Sequence, residues 1–132
     1  MINLEIVTPE KKVLSDAVDT VTVPTASGEI GILQNHASLI SSLKAGVLSY
    51  TKGGASERMV IAGGFVEVSR NNVSVLTDIA ETAAEINVEQ ARADRDAIEK
   101  ELAAWKGSFE ESELERERLE TAQARLALAT GR

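Results

Sequence analysis

Cysteine is absent from the chain, which excludes disulfide staples and thiolate chemistry alike and suits a reducing compartment. Aromatic residues are nearly absent too. Tyr50, Phe65, Trp105 and Phe109 are the whole set, too few to build a stacking platform for bases or sugars. Histidine occurs once, as His36, and one imidazole without a thiolate or a second imidazole does not make a zinc site. Positive charge is in deficit: 14 Lys and Arg against 21 Asp and Glu leave a net charge of −7. That balance argues against nucleic acid and against an anionic lipid surface, both of which call for a basic stripe. No apolar run approaches the roughly 20 residues of a membrane span. The first residues, Met1-Ile2-Asn3-Leu4-Glu5, alternate at once instead of showing a basic-then-apolar signal pattern, so a soluble chain is expected. Phosphate-cradling G-x-x-x-x-G-K and G-x-G-x-x-G loops are missing, as is a G-x-S-x-G nucleophile elbow. Ser27 and Ser38 flank His36 without forming one. No enzymatic activity is expected.

What is present divides in two near Ile86. From that residue onward 19 of 47 residues are charged; before it, charge is sparse. The first part, residues 1–85, has an apolar period of two. Ile2, Leu4 and Ile6 alternate with Asn3 and Glu5, Val21 and Val23 with Thr20 and Thr22, Val73 and Val75 with Asn72 and Ser74. Turn chemistry separates the runs: Thr8-Pro9-Glu10, Pro24 to Gly28, Gly53-Gly54 and Asn71-Asn72. The last two pairs tolerate the positive φ that two-residue hairpin turns require. Short strands so spaced, each with one apolar face, predict a sandwich or flattened barrel. Gly63-Gly64 interrupts the apolar run from Met59 to Phe65, which predicts a bulge or a close backbone approach.

Ser27 to Ile40 is the most distinctive stretch. Gly28 and Gly31 bracket Glu29, which predicts a sharp exposed turn with Glu29 at its tip. Gln34-Asn35-His36 reads as a second turn. Together they predict a sheet corner that presents Glu29 and His36 to a partner, although a solvated turn charge explains Glu29 equally well.

The second part, residues 86–132, has a helical period. Asn87-Val88-Glu89-Gln90 reads as a capping box, with Asn87 accepting from a first-turn amide and Gln90 reaching back. Val88, Ala91, Arg95, Ile98, Leu102 and Trp105 then form one stripe, and Gly107 is the expected left-handed stop. Ser108-Phe109-Glu110-Glu111 offers another box, opening a helix to about Thr130 with Leu119, Ala122, Leu126 and Ala129 on its stripe. Two helices joined so briefly are antiparallel neighbours. Their seam is thin, because a buried methyl contributes only about 0.8 kcal/mol where a leucine contributes twice that or more. The pair is therefore expected to part readily. Arg92, Arg95, Arg118 and Arg125 either converge as an anion pocket or pair with Glu89, Asp96, Glu99, Glu115 and Glu120 within helical reach. Spacing favours ordinary pairing.

Six segments in order resemble one family, the epsilon subunit of the proton-translocating ATP synthase. They are Val7-Thr8-Pro9-Glu10, Ser27 to Leu33, Asn35-His36-Ala37-Ser38-Leu39, Gly63 to Val68, Val73-Ser74-Val75-Leu76 and Ile86 to Ala93. The resemblance implies a ten-stranded N-terminal β-sandwich followed by an antiparallel two-helix hairpin. It implies a non-catalytic central-stalk subunit that binds the gamma subunit and rests on the membrane ring of c subunits, coupling proton-driven rotation to ATP synthesis. By the same pattern Glu29 faces the ring and His36 lies at the stalk interface. The subunit would sit peripherally, on the cytoplasmic face of a bacterial plasma membrane or the stromal face of a thylakoid. The hairpin would extend into the alpha/beta catalytic hexamer and block ATP hydrolysis. Some bacterial members bind regulatory ATP through a motif whose nearest match here is Val88-Glu89-Gln90-Ala91-Arg92-Ala93, with a second-helix arginine matched by Arg125. Glu89 stands where that motif has aspartate, and Thr121 lies one turn before Arg125. Glu89, Arg92, Ala93 and Arg125 are thus the candidate nucleotide residues. A free-standing nucleotide sensor and an unrelated sandwich adaptor are the other readings of these residues.

Overall fold

The computed structural model of the chain describes residues 1–131; Arg132, the last residue of the expected hairpin segment, lies outside them. Ten strands come first: β1 Ile2–Val7, β2 Lys12–Val18, β3 Thr20–Thr25, β4 Gly28–Ile32, β5 Leu39–Ser42, β6 Gly46–Lys52, β7 Ala55–Ala62, β8 Phe65–Ser69, β9 Asn72–Leu76 and β10 Ile79–Glu81. Two helices follow, α1 Val88–Ala103 and α2 Glu113–Ala129. One sheet runs β2-β1-β9-β8-β5 and the other β10-β7-β6-β3-β4. All neighbours are antiparallel except β1 and β9, which run parallel. The sheets meet over the alternating residues read from the sequence: Ile2, Leu4, Ile6, Val66, Val68, Val73 and Val75 from the first, and Val21, Val23, Ile32, Leu48 and Ile61 from the second. Each is almost wholly buried, and each stabilises the fold by roughly 1.5–3 kcal/mol relative to exposure.

The turns follow the registers that this burial imposes. Gly53 and Gly54 both take positive φ between β6 and β7, as expected. Between β8 and β9 the turn falls one residue earlier than expected. Ser69 pairs with Asn72, so Arg70 and Asn71 form the turn and Arg70 carries the positive φ of 57°. The cause is the inward pairing of Val68 with Val73 and Val66 with Val75, since a slip of one residue would turn every valine outward. Gly63 and Gly64 occupy the crossing from the second sheet to the first, with φ of 77° and 88°. A close backbone approach is what Gly64 provides: a Cβ there would lie 1.8 Å from the Leu76 carbonyl oxygen.

Polar groups pin the sandwich edge where β2 meets β6. Lys52 Nζ donates to Asp16 Oδ2 at 2.7 Å, and the Thr20 and Thr51 hydroxyls lie 2.7 Å apart. The Lys52 hydrogen bond first, and then the Ala17 N–H, hold the Asp16 carboxyl below its ordinary range. A depressed folded pKa contributes stability above the unfolded value of about 3.9 and loses it as pH falls through the folded value. Asp16→Asn should therefore lie below the parent in stability at neutral pH, by the small margin of an exposed pair. The two urea-denaturation curves should converge on acidification; a gap that persists below the carboxylate range would contradict this.

The helices differ from expectation in their ends and faces. Asn87 Oδ1 accepts from Gln90 N at 3.0 Å, but the Gln90 side chain turns forward to Asp94 at 2.8 Å and leaves the box half-formed. Helix α1 stops at Ala103, ahead of Gly107, which keeps an ordinary φ. The chain there bends around Trp105, whose Nε1 donates to the Ser108 carbonyl at 3.1 Å. Ser108 Oγ accepts from Glu111 N at 3.2 Å and so opens the turn leading into α2. The single stripe expected on α2 is instead a two-sided burial. Thr121, Ala122, Ala124, Leu126 and Leu128 are all buried, because α2 lies between α1 and the outer face of β6 and β7. Val60, Ala124 and Leu128, with Val47 and Ile86, form that second, smaller apolar cluster.

Candidate functional site

The corner is built from two edge strands. β4 ends the second sheet and β5 ends the first, and residues 33–38 carry the chain between them. Glu29 is exposed but does not cap a turn. The turn is Ala26–Ser27; Thr25 pairs with Gly28, and Glu29 already sits in β4 opposite Pro24. Only Gly28 takes a positive φ, 106°, and Thr25 Oγ1 donates to its carbonyl at 2.7 Å. Gly31 is regular strand opposite Thr22, so the second bend that would have lifted Glu29 does not occur.

Gln34-Asn35-His36 is a turn, as expected. His36 N donates to the Leu33 carbonyl at 3.1 Å, and Asn35 has φ of 65°. His36 Nδ1 lies 2.7 Å from the Ala37 carbonyl. A carbonyl only accepts, so in the neutral ring Nδ1 carries the proton and Nε2 is left as the acceptor nitrogen. Asn71 Oδ1 accepts from Asn35 N at 2.8 Å, which ties this turn to the β8–β9 turn. Glu29 and His36 are not brought together. Glu29 enters β4 beside the Ala26–Ser27 turn and His36 follows the far end, with about 10 Å of strand from Glu29 to Ile32 alone. They belong to opposite ends of the sandwich.

The outer face of the first sheet is apolar along a diagonal. Leu76 lies opposite both Phe65 on β8 and Val7 on β1, and Ile40 is two residues from Ser42, the β5 partner of Phe65. Ile40 is 70 % exposed, Phe65 41 % and Leu76 37 %, and Leu33 beyond the corner is 62 % exposed. The outer face of the second sheet, by contrast, is covered by α2. Sequence reading missed this contrast. Its signal was available in Phe65 and Leu76, large apolar residues at the outward parity of strands whose valines point inward.

The arginines divide between two clefts. Arg92 and Arg95 share one with Leu126, Ala127 and Thr130; Arg118 and Arg125 share another with Asp94, Ile98 and Thr121. Arg95 pairs with Asp96 at 3.1 Å and Glu99 at 3.5 Å along its own helix. Arg125 reaches out of the hairpin. Its Nε and Nη2 donate to Glu81 Oε1 and Oε2 at 2.7 and 3.0 Å, a two-pronged contact with the end of β10. Glu89, Arg92 and Ala93 lie exposed in the first turns of α1. Between β10 and α1, Glu85 Oε1 accepts from Thr82 N at 3.0 Å and Thr82 Oγ1 at 2.9 Å. Those two bonds, the backbone one first, lower the Glu85 carboxyl below its ordinary range. The Thr82-x-x-Glu85 spacing was a legible signal for this turn; Glu81 carried none. Among the described residues no three His, Cys, Asp or Glu side chains gather as a metal site requires, and no helix is long and apolar enough to cross a membrane.

Two sheets face to face, one covered by the second helix of a pair and one left open, define a β-sandwich module with a docked helical hairpin. Residues 1–83 match the family model described as the ATP synthase delta/epsilon chain beta-sandwich domain. The ATP synthase epsilon chain of Syntrophobacter fumaroxidans is 44 % identical over 128 residues, covering 97 % of this chain and 95 % of that one. That of Desulfitobacterium hafniense (strain Y51) is 44 % identical over 104 residues, 79 % of each chain. In fold, the chain is similar to one in the Euglena gracilis mitochondrial ATP synthase, with a TM-score of 0.81 at 24 % identity, covering 98 % of this chain and 81 % of that one. A chain of the Tetrahymena thermophila mitochondrial enzyme gives 0.66 at 18 % identity, covering 97 % and 96 %. The chain belongs to the ATP synthase epsilon chain family.

Proposed function

We propose that this chain is the non-catalytic rotor subunit of an ATP synthase, clamped to the gamma subunit and standing on the ring of c subunits. In this role it couples proton-driven rotation to ATP synthesis, from the cytoplasmic face of a bacterial plasma membrane. Residues 1–85 form the stalk-binding sandwich and residues 86–132 the regulatory hairpin. The observation that carries the reading is the inequality of the two outer faces: the second sheet is satisfied by α2, whereas Ile40, Phe65 and Leu76 on the first are open. Such a patch on a small domain marks a protein interface, and the gamma subunit is its occupant. Glu29, at one end of the sandwich, meets the ring, and His36, at the other, meets the shaft. The fold relatives support this assembly, since they belong to an OSCP/F1/c-ring complex in Euglena and a central stalk/c-ring complex in Tetrahymena.

The hairpin restrains ATP hydrolysis by leaving its sheet and entering the alpha/beta hexamer. Removing the residues after Ile86 should raise the ATPase rate of the reconstituted complex several-fold, and equal rates with and without them would reject self-inhibition. Regulatory ATP at Glu89, Arg92, Ala93 and Arg125 has narrower support, because Arg92 and Arg125 line different clefts and Arg125 is engaged by Glu81. Calorimetric titration with Mg-free ATP tests it directly: heat lost in Arg92→Ala supports binding, and no heat at millimolar nucleotide rejects it.

A further inference from the structure

We propose that the hairpin is held against the sandwich by a built-in, ligand-free lock, the Glu81–Arg125 pair, whose opening is the first step of undocking. The inference rests on the regulatory reading of the hairpin given above. Its basis is the way α2 is seated. The apolar cluster beneath α2 is small, with Val60, Ala124 and Leu128 buried and Val47 and Ile86 partly so. Two ion pairs flank it. Lys44 to Glu120 spans 3.6 Å between side chains 57 % and 35 % exposed, an arrangement that contributes little. Arg125 to Glu81 is of another kind. Both carboxylate oxygens accept from two different guanidinium nitrogens, and the side chains are 24 % and 29 % exposed. A fork of this geometry is both stronger and more directional than a single surface contact.

Position adds to strength. Glu81 is the last residue of β10 and pairs with Val60, itself at the centre of the apolar cluster. Its backbone is therefore fixed by the sheet, and its carboxylate needs little ordering before it meets the arginine. The next residue, Thr82, begins the turn that leads to α1. The lock thus fastens the far end of α2 to the strand from which the whole hairpin departs. Losing either partner leaves a half-buried charge without its counterpart while the hinge itself stays intact.

The cysteine-free sequence permits a clean test. Spin labels on Ser69→Cys, exposed on the first sheet, and Gln123→Cys, exposed on α2, report the sandwich-to-helix distance in the full chain. The parent should give one narrow distribution. Arg125→Ala and Glu81→Gln should each raise the long-distance population by about tenfold, and the charge-swapped double variant Glu81→Arg, Arg125→Glu should restore the narrow peak. Far-UV circular dichroism checks that the sandwich and helices persist; should Arg125→Ala unfold, the near-isosteric Glu81→Gln carries the test. Single variants indistinguishable from the parent would overturn the lock. A swap no better than the singles would overturn it too, by showing that packing rather than pairing holds the helix. If the parent ignores the gamma subunit while the variants still open, the rotor reading fails and the lock stands.

Discussion

Gly64→Ala should cost the sandwich about 3 kcal/mol or more, at the upper end of what single substitutions do. Two effects add. Gly64 has φ of 88°, where a side chain is strained by about 1–2 kcal/mol. The added methyl would lie 1.8 Å from the Leu76 carbonyl oxygen and 2.8 Å from its carbon, both backbone atoms of β9 that cannot swing aside. Relief would need movement of the crossing that joins the sheets, where the Gly64 carbonyl also accepts from Leu43 N at 3.0 Å. Gly31→Ala is the control. Its φ is ordinary and an added methyl would meet nothing within 4 Å, so the stability of that variant should change by no more than about 0.5 kcal/mol. Urea-denaturation midpoints compare the two, and equal losses would show that the Gly64 crossing yields more easily than its geometry implies.

The second large effect concerns binding. Phe65→Glu combined with Leu76→Glu should weaken association with the gamma subunit by at least about 100-fold, since central apolar anchors each carry roughly tenfold or more. Both side chains point away from the core but lie opposite each other, so two glutamates there should lower the stability of the isolated chain by on the order of 1–2 kcal/mol and leave it folded. Titration calorimetry on folded protein separates the outcomes. Unchanged affinity would assign the gamma contact to some surface other than the outer face of β8 and β9.

These two sites also show how far the sequence could be read. The sandwich was legible because burial on one face writes itself as alternation, and Val66, Val68, Val73 and Val75 leave little freedom of register. The same register then overruled local turn preference, moving the β8–β9 turn onto Arg70 although Asn71-Asn72 looks better suited. The Gly63-Gly64 approach was legible as a kind of event, but its partner, Leu76, was not. Glu29 was misread because two glycines suggest two bends, whereas only Gly28 needs one. The helices were legible as helices. What they pack against was not, since the alanines of α2 suit a weak seam and a sheet surface equally well. The Glu81–Arg125 contact was the least legible of all. It joins a strand end to a helix across 44 positions, and no period or spacing announces such a pair.

The most direct test of the rotor assignment is titration of purified gamma subunit with the full-length chain. One-to-one association with a dissociation constant below about 1 µM is expected, persisting when the residues after Ile86 are removed. Absence of binding by a chain with its sandwich intact would contradict it.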